Sequence, residues 1–244
     1  MDIFSRTKLL IGEDSVKKLN NSKVAIFGLG GVGSYVTEGL VRAGVGNFVL
    51  IDSDTVSETN LNRQIIATQN TIGKDKVEVE KERILSINPD AKVETYKVFF
   101  SSETEDFLDD TVNYIVDCVD TVSAKLEIIV RAKNKGIPVI SCMGTGNKLD
   151  PTLFEIDDIY NTSICPLAKV MRKELKARGI DSLKVLYSKE EVINILDNVE
   201  NKNEVEYKAS NRPVPGSISF VPSVAGLIIA GEIVKDLIDK KSVI

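Results

Sequence analysis

Residues 23–34 read KVAIFGLGGVGS, and this stretch decides the fold. Five residues from Lys23 to Phe27 are predominantly apolar and short, which suits a buried strand. A glycine-rich turn follows at once, and a helix is predicted from there through about Ala43. Gly28, Gly30 and Gly33 keep the G-x-G-x-x-G spacing between strand and helix, with Gly31 inside the same turn. Glycine is needed there because the backbone must turn sharply and come close to a phosphate with no side chain between them. The helix N-terminus then presents free N–H groups and the positive end of its dipole. Taken alone, the turn indicates a nucleotide or dinucleotide and no more.

Working outward, short apolar runs alternate with helical patterns, the mark of a mostly parallel sheet covered on both faces. Strands are predicted at 48–51, 93–99, 114–119 and 138–141. Helices are predicted at 74–87, stopped by Asn88-Pro89, and at 123–135, closed by Gly136. Residues 23–141 therefore read as a Rossmann-like, doubly wound nucleotide-binding core. Beyond it, strands are expected at 153–156 and 183–187 around a helix at 166–178 that Gly179 ends. A further strand at 217–221 and a last helix at 224–238 complete an extra C-terminal β/α portion, 142–244. The polar, acidic stretch at about 189–211 reads as a mobile loop. One domain over 1–244 suits the length.

The composition removes several chemistries. The chain has 244 residues, no histidine and three cysteines. Histidine-based triads and zinc–histidine sites are thereby excluded. Cys118, Cys142 and Cys165 are widely spaced and odd in number, so a disulfide framework finds no support and a reducing cytosol fits. No secretory signal is visible at the start, and Glu232, Lys235 and Asp236 interrupt the last apolar run too early for a membrane span. A cytoplasmic location is expected. The net charge of −5 argues against blanket affinity for phosphate backbones but leaves room for a local basic face.

The candidate site begins with Asp52 at the end of the second strand, placed to accept hydrogen bonds from ribose hydroxyls. Asp54 follows, and then Asn60-Leu61-Asn62-Arg63-Gln64. A nicotinamide dehydrogenase has no evident use for a cationic fork here. A nucleoside triphosphate does, because Arg63 can grip its charged end in a bidentate way. Lys76 adds a second positive charge, although spacing alone assigns it to a solvated helix face beside Lys74 and Asp75. Asp117 and Asp120 flank Cys118 at the end of the fourth strand. Ligands sit beyond the carboxyl ends of such strands, so Asp120 is the choice for Mg²⁺ and Asp117 for a structural role.

GLGGVGS, DSDTVSETNLNRQ, GKDKVEVEKERILSINP and VDCVDT, in that order, resemble the ThiF-type superfamily, relatives of ubiquitin-activating enzymes that adenylate carboxylates. The resemblance implies that ATP is bound, with Asp52 on the ribose, Arg63 and Lys76 on the phosphates, Asp120 on Mg²⁺ and Asn60 lining the pocket. The second half is similar to the tRNA threonylcarbamoyladenosine dehydratases, through PVISCMGTGNKLDPTLFEIDDIYNTSICPLAKVMRKELKARGI, LKVLYSKE and RPVPGSISFVPSVAGLIIAGEIV. That implies ATP-dependent ring closure on a modified adenosine beside the anticodon of tRNA, with Arg63, Lys76 and Asp120 in the catalytic roles. Activating a ubiquitin-like or sulfur-carrier protein is the alternative, and a non-catalytic binding subunit is a third reading.

Contact with tRNA is expected on the helix at 166–178. Leu167, Met171 and Leu175 share one face while Lys169, Arg172, Lys173 and Lys176 project elsewhere, which an ordinary solvated helix would also do. Lys208 and Arg212 are secondary candidates. Gly144, Gly146 and Asn147 are expected to shape the substrate side of the crevice. Cys165 opens the 166–178 helix, where the dipole could lower its pKa. A sulfur-carrying or acyl-accepting role, with a sulfur-transfer protein as partner, competes there with a small buried core residue. By resemblance the chain pairs as a homodimer, with Arg6 reaching a neighbour's phosphate site.

Overall fold

The computed structural model describes residues 2–106, 108–195 and 214–238. Seven strands form one sheet in the order β3-β2-β1-β4-β5-β7-β6. They are β1 (Lys23–Phe27), β2 (Asn47–Ile51), β3 (Lys92–Tyr96), β4 (Tyr114–Asp117), β5 (Val139–Cys142), β6 (Phe154–Asp158) and β7 (Lys184–Ser188). Every pairing is parallel except that of β6 with β7. The expected α/β class, doubly wound with an added C-terminal portion, is what the chain adopts.

Seven α-helices accompany the sheet among the described residues: α1 (Ser5–Ile11), α2 (Glu13–Asn21), α3 (Gly33–Ala43), α4 (Lys76–Ile87), α5 (Val122–Lys135), α6 (Pro166–Ala177) and α7 (Phe220–Ile238). Strand residues alternate between two cores. Val24, Ile26, Phe48, Leu50 and Val116 face α2, α3, α4 and α7 through Leu19, Val36, Leu40, Ile84 and Ile229. Ala25, Phe27, Val49, Ile51 and Ile115 face α5 and α6 through Ile128, Ile129, Met171 and Leu175. This two-sided burial is why the strands read as apolar runs rather than alternating ones. Gly136 closes α5 at φ +67° in the left-handed region, as the spacing predicts.

Three expectations change. The run at 217–221 is not a strand, because residues 217–219 are irregular and α7 already begins at Phe220. Pro222 explains it: the ring has no N–H to give a sheet ladder, but sits easily in a helix's first turn. The third strand ends at Tyr96, and 97–100 leave the sheet. Ahead of β1 stand α1, which buries no side chain, and α2, which buries Val16 and Leu19. Of the acidic stretch, 189–195 are described and held down: Lys189 N donates to Leu153 O at 2.9 Å and Ile193 N to Asn147 O at 2.9 Å. Residues 196–213 lie outside the described residues, and with them Lys208 and Arg212.

Candidate active site

In the run β3-β2-β1-β4-β5 the strand order reverses between the parallel neighbours β1 and β4, and a crevice opens beyond their carboxyl ends. A cleft of about 370 Å³ lies there, within the range of small-ligand sites. Gly28, Gly30, Gly31, Asp52, Asp54, Asn60, Arg63, Lys76 and Asp120 all line it. Gly33 stands behind the turn.

Two glycines are required by geometry. Gly28 has φ +85°, and a Cβ on it would sit 2.9 Å from the Cys118 carbonyl. A Cβ on Gly33 would meet Gly28 O at 1.8 Å, so only glycine lets α3 start this close to β1. No side chain caps α3, leaving its N-terminus open to an anion.

Asp52 does two things at once. Its Oδ2 accepts from Leu29 N at 2.6 Å and its Oδ1 from Asp54 N at 2.8 Å, tying the glycine turn to the end of β2. Burial pushes its carboxyl upward, with the Lys76 charge and these two N–H groups pulling the other way. Lys76, at the first position of α4, is buried rather than solvated, and its Nζ donates to Asp54 Oδ2 at 2.8 Å. Spacing alone assigns it to a solvated face; the antiparallel bridge between Thr55 and Asp75 turns it into the cleft. Arg63 is half-buried, its Nη1 donating to Thr59 O at 2.7 Å and Asn62 Oδ1 at 2.9 Å. Desolvation lowers its pKa. Asn60 Oδ1 accepts from Ser57 N at 3.1 Å, which orders the turn that presents Arg63.

On the β4 side, Asp120 lies just before α5 at the cleft rim and accepts from Thr121 Oγ1 at 3.3 Å. Asp117 has the contacts of a structural residue: its Oδ1 accepts from Val119 N in the following loop at 3.2 Å, and its Oδ2 meets a lysine of α5. Lys125, on α5, donates from Nζ to Asp117 Oδ2 at 2.9 Å, Ser141 Oγ at 3.3 Å and Cys142 O at 2.7 Å. Both charges are fully buried. This knot fixes the ends of β4 and β5 beneath Asp120.

The cleft also takes in groups that spacing does not mark. Val98, Phe99 and Phe100 form one wall because β3 ends early. Gln64, next to Arg63, is buried, and its Oε1 finds no partner among the described residues. Thr145 and Ser217 complete the far wall.

The other candidates lie elsewhere. Cys165 is buried in the α5–α6 core at the N-cap of α6, away from the cleft lining, and makes no capping bond. Lys169, Lys173 and Lys176 project outward from α6. Arg172 instead turns inward, its Nη1 donating to Thr162 O at 2.9 Å and to the Thr162 hydroxyl. Arg6 is exposed on α1. Among the described residues no helix is long and apolar enough to cross a membrane.

The arrangement can therefore hold an anionic, hydroxyl-bearing ligand: backbone N–H groups and two cations for negative charge, one carboxylate for hydroxyls, another for a cation. The ThiF family matches residues 4–243. The tRNA threonylcarbamoyladenosine dehydratase of Bacillus subtilis is 43% identical over 240 residues, covering 96% of this chain and 94% of that protein. The tRNA threonylcarbamoyladenosine dehydratase 2 of Saccharomyces cerevisiae is 34% identical over 94% of this chain, which spans 55% of that longer protein. Among solved structures, the Escherichia coli tRNA N6-threonylcarbamoyladenosine dehydratase in complex with ATP superposes with a TM-score of 0.85 at 28% identity, covering 97% of this chain and 94% of that one.

Proposed function

The chain belongs to the ThiF family, and from that premise we propose that it uses ATP to dehydrate threonylcarbamoyladenosine in tRNA to a cyclic form. The observation that carries this reading is the gathering of the glycine turn, Asp52, Arg63, Lys76 and Asp120 around one cleft at the sheet's reversal point. The likeness to two proteins of that name along nearly the whole chain supports the choice of substrate.

In this reading ATP lies across the glycine turn, with Asp52 accepting from its ribose hydroxyls. An oxygen of the threonyl carboxylate attacks phosphorus, and a phosphoanhydride bond breaks. The carbamoyl group of the same nucleoside then attacks the activated carbonyl carbon, and the phosphate-bearing group leaves with the oxygen that the nucleoside loses as water. Arg63 and Lys76 neutralise charge as the phosphorus–oxygen bond breaks. Holding both reacting groups in one nucleoside makes ring closure a matter of proximity, so no enzyme nucleophile is called for. The cysteines agree. Cys142 and Cys165 are buried, and burial pushes the Cys142 thiol up to about 12 and the Cys118 thiol well above its ordinary value.

The donor set fits Mg²⁺. No group of three or more candidate ligand side chains exists among the described residues. Magnesium needs only one or two carboxylates when phosphate oxygens and water complete its shell. Asp120 would hold it, and when bound the ion would neutralise charge on the phosphates.

For tRNA, the exposed Lys169, Lys173 and Lys176 on α6 are the proposed phosphate contacts. Exposed apolar residues on the N-terminal segment and α7, Leu9 at 88% and Leu227 at 49% among them, support a homodimer that would cover them. A cytoplasmic location follows from the substrate. The test is nucleoside mass spectrometry after incubating the protein with ATP, Mg²⁺ and tRNA bearing threonylcarbamoyladenosine. A nucleoside lighter by one water is expected. An unchanged nucleoside with folded, ATP-binding protein would overturn the assignment.

A further inference from the structure

Asn147 stands where three stretches of chain meet beside the cleft. Its backbone N donates to Gly216 O at 2.8 Å, and its side-chain Oδ1 accepts from Gly216 N at 2.6 Å. Its backbone O accepts from Ile193 N at 2.9 Å. One residue thus ties the loop after β5 to both described flanks of the 196–213 stretch. The geometry is specific. Asn147 has φ +58°, and asparagine is among the few non-glycine residues at ease there. Gly146 beside it leaves room for Pro215, because a Cβ would approach Pro215 Cβ to 2.8 Å.

The groups on either side of this clamp belong to the cleft. Thr145 precedes Asn147 by two residues, Ser217 follows Gly216, and both line the wall. That wall stands next to Arg63: Asn62 Nδ2 donates to Ser217 O at 3.0 Å, and Gly31 sits against both Pro222 and Arg63. Asn147 itself does not line the cleft.

We propose that Asn147 is a positioning residue that fixes the far wall of the cleft through Thr145 and Ser217, so that the acyl-bearing substrate meets the reactive end of the nucleotide in register. The catalytic consequence rests on the function proposed above; the clamp rests on the hydrogen bonds alone. Loss of the side-chain acceptor frees Gly216 N–H and lets the 214–218 segment drift. Displacements of about 1 Å remote from the reacting atoms can cost on the order of 10²-fold in rate. Nucleotide affinity, which rests on the glycine turn, Asp52 and Lys76, stays close to its starting value.

The experiment compares Asn147→Gly with Asn147→Asp in the full chain. Glycine keeps the positive φ and removes the acceptor; aspartate keeps both. Expected for Asn147→Gly are a kcat lower by tenfold or more, on the order of the misplacement cost, a nearly unchanged KM for ATP, and faster amide exchange at 145 and 214–218. Asn147→Asp should restore rate and protection. Normal kcat in folded Asn147→Gly, or an Asn147→Asp as impaired as it, would overturn the proposal. So would exchange at 214–218 equal to wild type. The exchange measurement needs no substrate, which separates the two claims. A wild-type protein that leaves the nucleoside unchanged refutes the function, while lost protection in Asn147→Gly still establishes the clamp.

Discussion

Replacing Glu80 by methionine is expected to stabilise the protein, and to do so more strongly as pH rises. Glu80 lies on α4 one turn after Lys76, with no exposed surface, and neither carboxyl oxygen has a hydrogen-bond partner among the described residues. Arg83, whose charge acts on it, is already committed, donating to Glu38 at 2.6 and 3.1 Å. Burial pushes the Glu80 carboxyl well above its ordinary value of 4.5; Arg83 opposes this, while the charges of Glu38 and Asp52 add to it. Two contributions follow. A neutral carboxyl buried without partners costs about 1–3 kcal/mol, and methionine of similar length removes that cost.

The second contribution is protonation linkage, and its sign is fixed by the upward shift. Below pH 4.5 folded and unfolded chains both hold the proton, so nothing is lost. Above it the unfolded chain releases the proton while the folded one keeps it. Stability then falls by about 1.4 kcal/mol per pH unit until the folded carboxyl ionises. Between about pH 5 and pH 7 this amounts to about 2.5 kcal/mol while the carboxyl stays protonated. Urea denaturation of wild type and Glu80→Met at several pH values in this window gives the difference directly, and subtraction cancels the titrating groups that do not interact with Glu80. The gap should widen toward neutral pH, at roughly 2–4 °C of midpoint per kcal/mol if read thermally. A gap that does not change with pH, or a variant less stable than wild type, would refute the reasoning.

Asp120→Ala is expected to abolish ATP consumption without altering the thermal midpoint, and full turnover in that variant would remove Asp120 from the site. Lys125→Met leaves the buried Asp117 carboxylate without its cation and with only neutral donors, Val119 N and the Ser141 hydroxyl, so a loss of about 3–5 kcal/mol should appear in denaturant titration. A loss below about 1 kcal/mol, the scale of an exposed ion pair, would show that the knot does not hold the strand ends. Reversing Lys169, Lys173 and Lys176 to glutamate should weaken tRNA binding and flatten its log–log salt dependence by about 0.9 for each phosphate no longer neutralised. Unchanged affinity and slope would place tRNA on another face.

Much of this was legible in the sequence because its causes are local. The glycine turn, Asp52 at a strand end and Asp120 past another lie within a few residues of the feature that places them. The apolar strands follow from burial on both sides. What was not legible depends on distant parts of the chain. Lys125 looks like any helical lysine until Asp117 and Ser141 on two strands converge on it. Glu80 falls in a charge-laced helix, and nothing in KVEVEKER tells which glutamate faces inward. The 217–221 run alternates like a strand, but Pro222 decides for helix. Asn147 was marked by its glycine neighbours as part of a crevice wall, whereas its role as a clamp needs Gly216 and Ile193 in place.

The same distinction explains how a chain of net charge −5 could offer the proposed site for anions. Net charge governs long-range attraction, while binding depends on which cations are held in place and what releasing them costs. The Lys76 side chain is only 6% exposed, and that of its partner Asp54 is 63% exposed. The lysine is thereby fixed in the cleft by its surroundings, while the aspartate remains largely solvated. An ion pair with one partner in water is worth about 0–1 kcal/mol, so a phosphate bound in the proposed way would displace Asp54 at little cost. It would meet a cation already held in the cleft. Arg63 is prepared likewise by Thr59 and Asn62, whose oxygens engage one nitrogen of the guanidinium. Both cations are therefore in position before a ligand arrives, which is the condition under which electrostatic stabilisation needs no reorganisation during reaction.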